Sequence, residues 1–293
     1  MTTLRIATRG SAQARTQAEV VAAQLQAAHT GLEVELVLVE TTGDRRKDVP
    51  LHVIGGQGVF VKEVQQAVLD RRADVAVHSA KDLPSGPPPE GLVLAAVPPR
   101  GDPRDALVGT PLADLSPGAC VATGSVRRRA QLTVMRPDLV FADLRGNIDT
   151  RLAKVPDGGA IVMAMAALDR LGRTDRVAEA LTVEQMVPQV GQGALAVECR
   201  HADRAVRDRL GKIEAPLDRR FVELERTFLA TLGGGCDRPV GAHAHLDHDG
   251  QLVLHTFLAG PTGVWHDRRH GPGSDDGWVT ALAREAAATA GLP

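Results

Sequence analysis

Cysteine is scarce in this chain: 293 residues carry three, Cys120, Cys199 and Cys236, widely spaced and with no C-x-x-C pair. That excludes a disulfide framework, and a chain of this length buries a core without staples. The thiols therefore point to a reducing cytoplasm. Tyrosine is absent and there are two tryptophans, Trp265 and Trp278, so intrinsic fluorescence reports mainly on the C-terminal part. No long apolar run is present either. The opening residues "MTTLRIATRG" have no signal core, and "AIVMAMAAL" from Ala160 is about half of the ~20 residues a membrane-spanning helix needs, so no membrane association is expected. A surplus of either charge is also missing, since the net charge is −2, which argues against nucleic-acid binding by bulk electrostatics. Lysine is rare among the 34 basic residues, of which 29 are arginine. Arginine supplies planar forks that grip carboxylates and phosphates in pairs of hydrogen bonds.

What is present is an alternation of strand and helix signals. "LRIAT" reads as a strand, a helix from Ser11 places Ala14, Ala18, Val21, Ala22, Leu25 and Ala28 on one face, and "EVELVLV" is a second strand. Val59 to Arg71 reads as a helix with Phe60, Val64, Ala67 and Val68 on one side, followed by strand "ADVAVHS". This order predicts a parallel sheet with helices on both faces and ligands at the strands' carboxyl ends. Proline-rich stretches near residues 85 to 105 mark a break, after which "ACVAT", "LVFADL" and "AIVMA" repeat the alternation with the helices that follow them. "GQGALAVEC" around Gln192 is expected to cross back and complete the first sheet. From Ile213 a helix, two alternating runs around "DHDG" and an alanine-rich helix predict a small α+β domain with a hairpin. The expected division is 1–97 with 191–210, 98–190, and 211–293.

The strand-to-helix turns "TRGS" (Arg9, Ser11), "TGSVRR" (Thr123, Ser125, Arg127, Arg128) and "LRGNIDTR" (Arg145, Gly146, Arg151) combine hydroxyls and arginines with helix N-termini. Such turns favour anions, although each hydroxyl alone also reads as an ordinary cap. No phosphate-loop fingerprint is present, and forks at several points suit an extended polycarboxylate better than one compact phosphate. "AVHSAKDLP" ends a buried strand with His78, Ser79, Lys81 and Asp82. Asp82 is the candidate acidic catalytic group, the other reading being a turn residue or a partner for Lys81. His243, His245 and His248 read as solvated strand-edge histidines, and no metal is expected. In "LGGGCDRPVG", Cys236 reads as a nucleophile, a buried thiol, or a point of covalent attachment with glycines leaving room for an adduct.

Together, "ATRGS", "GGQGVFVKE", "AVHSAKDLP", "DPRDAL", "TGSVRRRAQL", "RPDL", "LRGNIDTRL", "LDRLG", "VGQGALAVECR" and "GGGCDRPVG" resemble the porphobilinogen deaminase (hydroxymethylbilane synthase) family, in family order along nearly the whole chain. The resemblance implies an α/β fold: two periplasmic-binding-protein-like lobes joined by a doubly connected hinge, plus a small α+β C-terminal domain. It implies a transferase that deaminates porphobilinogen and joins four units head to tail on a dipyrromethane cofactor, releasing hydroxymethylbilane. By the same resemblance the cofactor hangs by a thioether from Cys236. Lys81, Asp82, Thr123, Ser125, Arg127, Arg128, Arg145 and Gly146 bind it, while Arg9, Ser11, Phe60, Ser79, Arg151, Arg170 and Gln192 bind substrate. Asp82 would hold pyrrole N–H groups and stabilise the cation formed in each round. Val53 and Gln57 stand where the family has lysines. A monomer with no macromolecular partner is expected. A non-catalytic binding protein and a cysteine hydrolase are the competing classes.

Overall fold

Parallel pairing begins at the N-terminus, in a computed structural model that describes residues 2–41, 58, 61–234, 238–273 and 275–292. Strands β1 (Thr2–Arg9) and β2 (Leu32–Val39) run in register from Thr2↔Leu32 to Arg9↔Val39. Helix α1 (Ala12–Ala28) connects them and buries Ala18, Val21 and Leu25, the three-and-four spacing of an amphipathic face. Helix α2 (Lys62–Leu69) buries Val64, Ala67 and Val68, and the fully buried β3 (Val75–Ser79) pairs parallel with β1. The helix expected from Val59 is thus described from Lys62; Val59 and Phe60 lie outside the described residues.

The all-parallel expectation is corrected at one strand. β10 (Leu195–Arg200) does complete the first sheet, but it enters between β3 and β4 (Leu92–Ala96) and runs antiparallel to both, giving the order β2-β1-β3-β10-β4. No helical crossover links β10 to β3, so nothing forces them to be parallel.

The second sheet repeats the scheme. Its order is β7-β6-β8-β5-β9, with β6 (Cys120–Ala122) parallel to β7 (Val140–Ala142) and β8 (Ala160–Ala164). β5 (Asp105–Gly109) runs antiparallel to β8 and to β9 (Glu179–Ala180). The chain passes from the first unit to the second between Gly101 and Asp102, and returns between Gly193 and Ala194. In each sheet the antiparallel fourth strand is therefore the one that follows a crossing. The similar turns "ATRGSA" and "ATGSVR" follow β1 and β6, the second strand of each sheet. β4, β5 and β9 escaped the sequence reading because they are short and flanked by proline or polar residues.

Beyond helices α6 (Arg204–Leu210) and α7 (Pro216–Thr231), the expected hairpin is a three-stranded antiparallel sheet of β11 (Val240–Leu246), β12 (Leu252–Ala259) and β13 (Val264–His270), covered by α8 (Gly277–Ala290). β13, "VWHDRRH", alternates exposed and half-buried residues, so its polar content hid it. Leu224, Phe228, Leu254, Leu258, Val279 and Leu282 form the core here, with Trp265 and Trp278 at its margin.

The solvated-histidine expectation holds for His248 but fails for His243. That ring is buried and stacks on half-buried His245 at 5.5 Å, which in turn lies 5.2 Å from buried His255. Burial, opposed by Glu184 and reinforced by His245, His243 and Arg268, lowers the pKa of His255 to about 4. The unfolded chain takes up this proton near pH 6.5, so the contribution of neutral His255 is complete above that pH and is lost as pH falls towards 4. The difference corresponds to roughly 3 kcal/mol. Tryptophan-monitored melting is expected to show Tm falling between pH 6.5 and 5, with a shallower slope in His255→Phe. Identical slopes would remove His255 from the acid sensitivity.

Candidate active site

In the first unit the candidate side chains gather at the carboxyl ends of adjacent parallel strands β1 and β3. Arg9 ends β1, and Ser11 caps α1, its Oγ accepting the Ala14 N–H at 3.3 Å. Ser79 ends β3, and its Oγ accepts from Gln17 Nε2 of α1 at 2.7 Å. Lys81 and Asp82 follow in a short 3₁₀ turn, Ala80–Asp82. The Ala80 N–H donates to Ala194 O at 3.0 Å, anchoring this turn to the start of β10. Asp82 is half-buried, and among the described residues its carboxylate has no hydrogen-bond or ion-pair partner. No ion pair joins it to Lys81, so the neighbour-pairing alternative does not hold.

Beneath that strand end the sheet carries a polar group unread in the sequence. His78 Nε2 lies 3.1 Å from Glu198 Oε2 of β10, which also accepts Gln65 Nε2 of α2 at 2.8 Å. All three are buried. The available signal was an acid inside the apolar run "ALAVEC", since a buried carboxylate requires partners.

In the second unit the candidates gather at the carboxyl ends of β6, β7 and β8. Ser125 caps helix α3 (Val126–Met135), accepting the Arg128 N–H, and Thr123 Oγ1 accepts the Ser125 N–H at 3.2 Å. The ordinary capping role is thus real, yet each hydroxyl keeps its own proton to donate. Asn147 caps helix α4 (Ile148–Leu152), and Arg151 Nε donates to Gly146 O at 2.7 Å. Gly146 has φ +114°, and a Cβ there would stand 2.8 Å from Thr150 Cγ2, so only glycine fits. Arg170 ends helix α5 (Met165–Arg170), and its Nη2 donates to Gly193 O at 2.6 Å.

Arginines outnumber acids at this edge. Arg127 and Arg128 are buried and share the fully buried Asp105, at 2.7 Å from each. Arg145, Arg151 and Arg170 have no carboxylate within ion-pairing distance among the described residues. Burial pulls the pKa values of Arg151 and Arg170 below the usual guanidinium value, and Arg128 adds to the effect on Arg151. Asp143 and Asp149 pair with Arg129 and Arg173, and Asp169 partly offsets the charge of Arg170, so with Asp105 the edge holds seven arginines against four acids and keeps a demand for anions. Gln192 is buried and turns inward, donating to Pro103 O at 2.8 Å and Asp105 Oδ1 at 2.9 Å.

Cys236, Phe60, Val53 and Gln57 lie outside the described residues, but the ends of the cysteine loop do not. Helix α7 terminates in Gly233 and Gly234, both with positive φ, and the Gly234 N–H closes back on Leu229 O at 2.9 Å. Arg238 Nη1 donates to Leu232 O at 2.7 Å, tying the two ends of the loop together. Among the described residues no group of three or more acids, histidines or cysteines could hold a metal, and no helix is long and apolar enough to cross a membrane.

Family comparison accounts for this arrangement. Residues 4–208 match the family described as porphobilinogen deaminase, dipyromethane cofactor binding domain, and residues 220–271 match porphobilinogen deaminase, C-terminal domain. The chain is 48% identical over 285 residues to the porphobilinogen deaminase of Acidothermus cellulolyticus, covering 94% of this chain and 85% of that one. It is 46% identical over 289 residues to that of Roseiflexus castenholzii, covering 96% and 95%. Among solved structures, the methionine-binding protein MetQ is 13% identical with a TM-score of 0.42, covering 77% of this chain and 90% of that one. The two family-model matches and the relatives at 46–48% identity show that the chain belongs to the porphobilinogen deaminase family, enzymes with a dipyrromethane cofactor.

Proposed function

We propose that this protein binds dipyrromethane and the growing polypyrrole through the arginine-rich edge of its second sheet, with Asp82 of the first as the catalytic carboxylate. The cluster of Arg127, Arg128, Arg145, Arg151 and Arg170 at the strand ends of the second sheet, of which only the first two pair with an acid among the described residues, carries this reading, because each pyrrole unit brings an acetate and a propionate. When bound, the cofactor supplies the pyrrole end onto which further units are added.

Arg127, Arg128, Arg145 and Arg151 neutralise carboxylates, assisted by Lys81, Arg9 and Arg170. Thr123 and Ser125, already fixed by backbone N–H donors, direct their hydroxyl protons outward, as do Ser11 and Ser79. Gly146 lets the backbone approach closely. Asp82 accepts pyrrole N–H groups and offsets the positive charge that develops as ammonia leaves. Cys236 is the attachment point and Phe60 meets a pyrrole face, both on sequence grounds. Gln192 serves through its grip on Asp105.

The division into 1–97 with 191–210, 98–190 and 211–293 belongs to the same reading, as do a monomer and a reducing cytoplasm. Cys199 is buried, and burial pushes its thiol up to about 11, which makes it an inert core residue.

Intact mass is the direct test. The purified protein is expected to exceed its chain mass by two pyrrole units, and the excess should vanish in Cys236→Ser together with porphobilinogen consumption. A bare chain mass in active protein refutes covalent attachment.

A further inference from the structure

Asp105 is the fully buried acid of the second unit's candidate site, and two of the site's five arginines converge on it. It opens β5, directly opposite Ala164 at the carboxyl end of β8, so the antiparallel strand delivers a carboxylate to the edge where the parallel strands end. Oδ2 accepts Arg127 Nη2 at 2.7 Å. Oδ1 accepts Arg128 Nη2 at 2.7 Å and Nε at 3.1 Å, and Gln192 Nε2 at 2.9 Å. The outer nitrogens are fixed as well, Arg127 Nη1 on Val187 O at 2.7 Å and Arg128 Nη1 on Val162 O at 2.9 Å.

Consecutive residues on a helix point about 100° apart, and two guanidinium groups repel, so Arg127 and Arg128 would not converge without an acid between them. One acid does not neutralise two arginines. The trio keeps a net positive charge inside the protein, and Arg127 Nε is buried with no hydrogen-bond acceptor among the described residues. Arg128 has an unused N–H on each terminal nitrogen after the bonds above. The pair is thus held rigid and left short of anions.

We propose that Asp105 is a positioning residue for carboxylate binding: it orients the guanidinium groups of Arg127 and Arg128 and, through Gln192, fastens them to the segment where the chain leaves this unit. The proposal rests on the reading that these arginines meet ligand carboxylates. Asp105 itself, fully buried behind them, touches no ligand. Burial favours its neutral form, but the two arginines outweigh this and hold its pKa well below the usual carboxylate range, so it stays ionised throughout the working pH range.

Asp105→Asn and Asp105→Glu are to be expressed alongside the wild-type enzyme and compared by intact mass, circular dichroism, melting, and KM against kcat for porphobilinogen. In folded Asp105→Asn the fraction of molecules carrying the adduct is expected to fall below half. KM should rise at least tenfold while kcat per loaded molecule stays within about threefold, because the reacting groups are untouched. A purely structural role would lower Tm and leave loading and KM alone. Where asparagine prevents folding, Asp105→Glu decides by the same readouts, since it keeps the charge and displaces the arginines by one methylene. Full loading with KM within twofold of wild type in either folded variant overturns the proposal. Failure of the underlying reading is distinguishable, because the wild-type protein would then itself carry no adduct and consume no porphobilinogen.

Discussion

Asp82→Asn is expected to slow porphobilinogen turnover about a thousandfold while the fold stays intact. A carboxylate ~4 Å from a developing cation contributes roughly 4 kcal/mol at an effective dielectric near 20, and that energy sets the rate loss. The amide keeps the shape and a hydrogen-bonding oxygen but not the charge. Because the Asp82 side chain has no hydrogen-bond or ion-pair partner among the described residues, its replacement removes no structural contact seen there. Tm should therefore move by no more than about 2 °C. Initial rates and a melting curve on the same preparation suffice. Turnover within tenfold of wild type would exclude Asp82 as the main source of charge stabilisation.

Glu225→Ala should have the largest effect on stability. Glu225 is fully buried on α7, where Oε2 accepts the Gly191 N–H at 2.7 Å and Oε1 accepts the Ala244 N–H at 2.9 Å. His243 Nδ1 stands 3.3 Å from the same Oε1. One carboxylate thus joins the helix leading to the cysteine loop, the strand leaving it, and the segment that carries Gln192. Truncation strands two buried backbone donors, a loss of about 3–5 kcal/mol. At the usual dependence for chains of this size, Tm should fall by roughly 10 °C, measured by the fluorescence of Trp265 and Trp278. A shift under about 3 °C would mean that water replaces the carboxylate.

Most of what local chemistry controls was legible in the sequence. The three-and-four spacing in α1 marks its buried face, the turn residues Ser11 and Ser125 mark the caps, and both are decided within a few residues of chain. The family motifs likewise report on short stretches whose order the chain preserves. Strand direction was not legible for β5 and β10, because pairing with β8 and β3 depends on how distant segments return to each sheet.

The same separation explains what was missed in the site. Asp105 looked like one acid in "DPRDAL", and Glu225 like one of several acids on α7; neither reveals from sequence that it is buried. The partners of Asp105 lie 22, 23 and 87 residues away, and those of Glu225 lie 34 and 19 residues away. By itself, then, the sequence determined the alternation of elements, the cation-rich turns, the family and the candidates Asp82 and Cys236. Only the tertiary structure decided which arginines are held in place by a buried acid and which have no acid beside them among the described residues, because desolvation and pairing arise when distant residues are brought together.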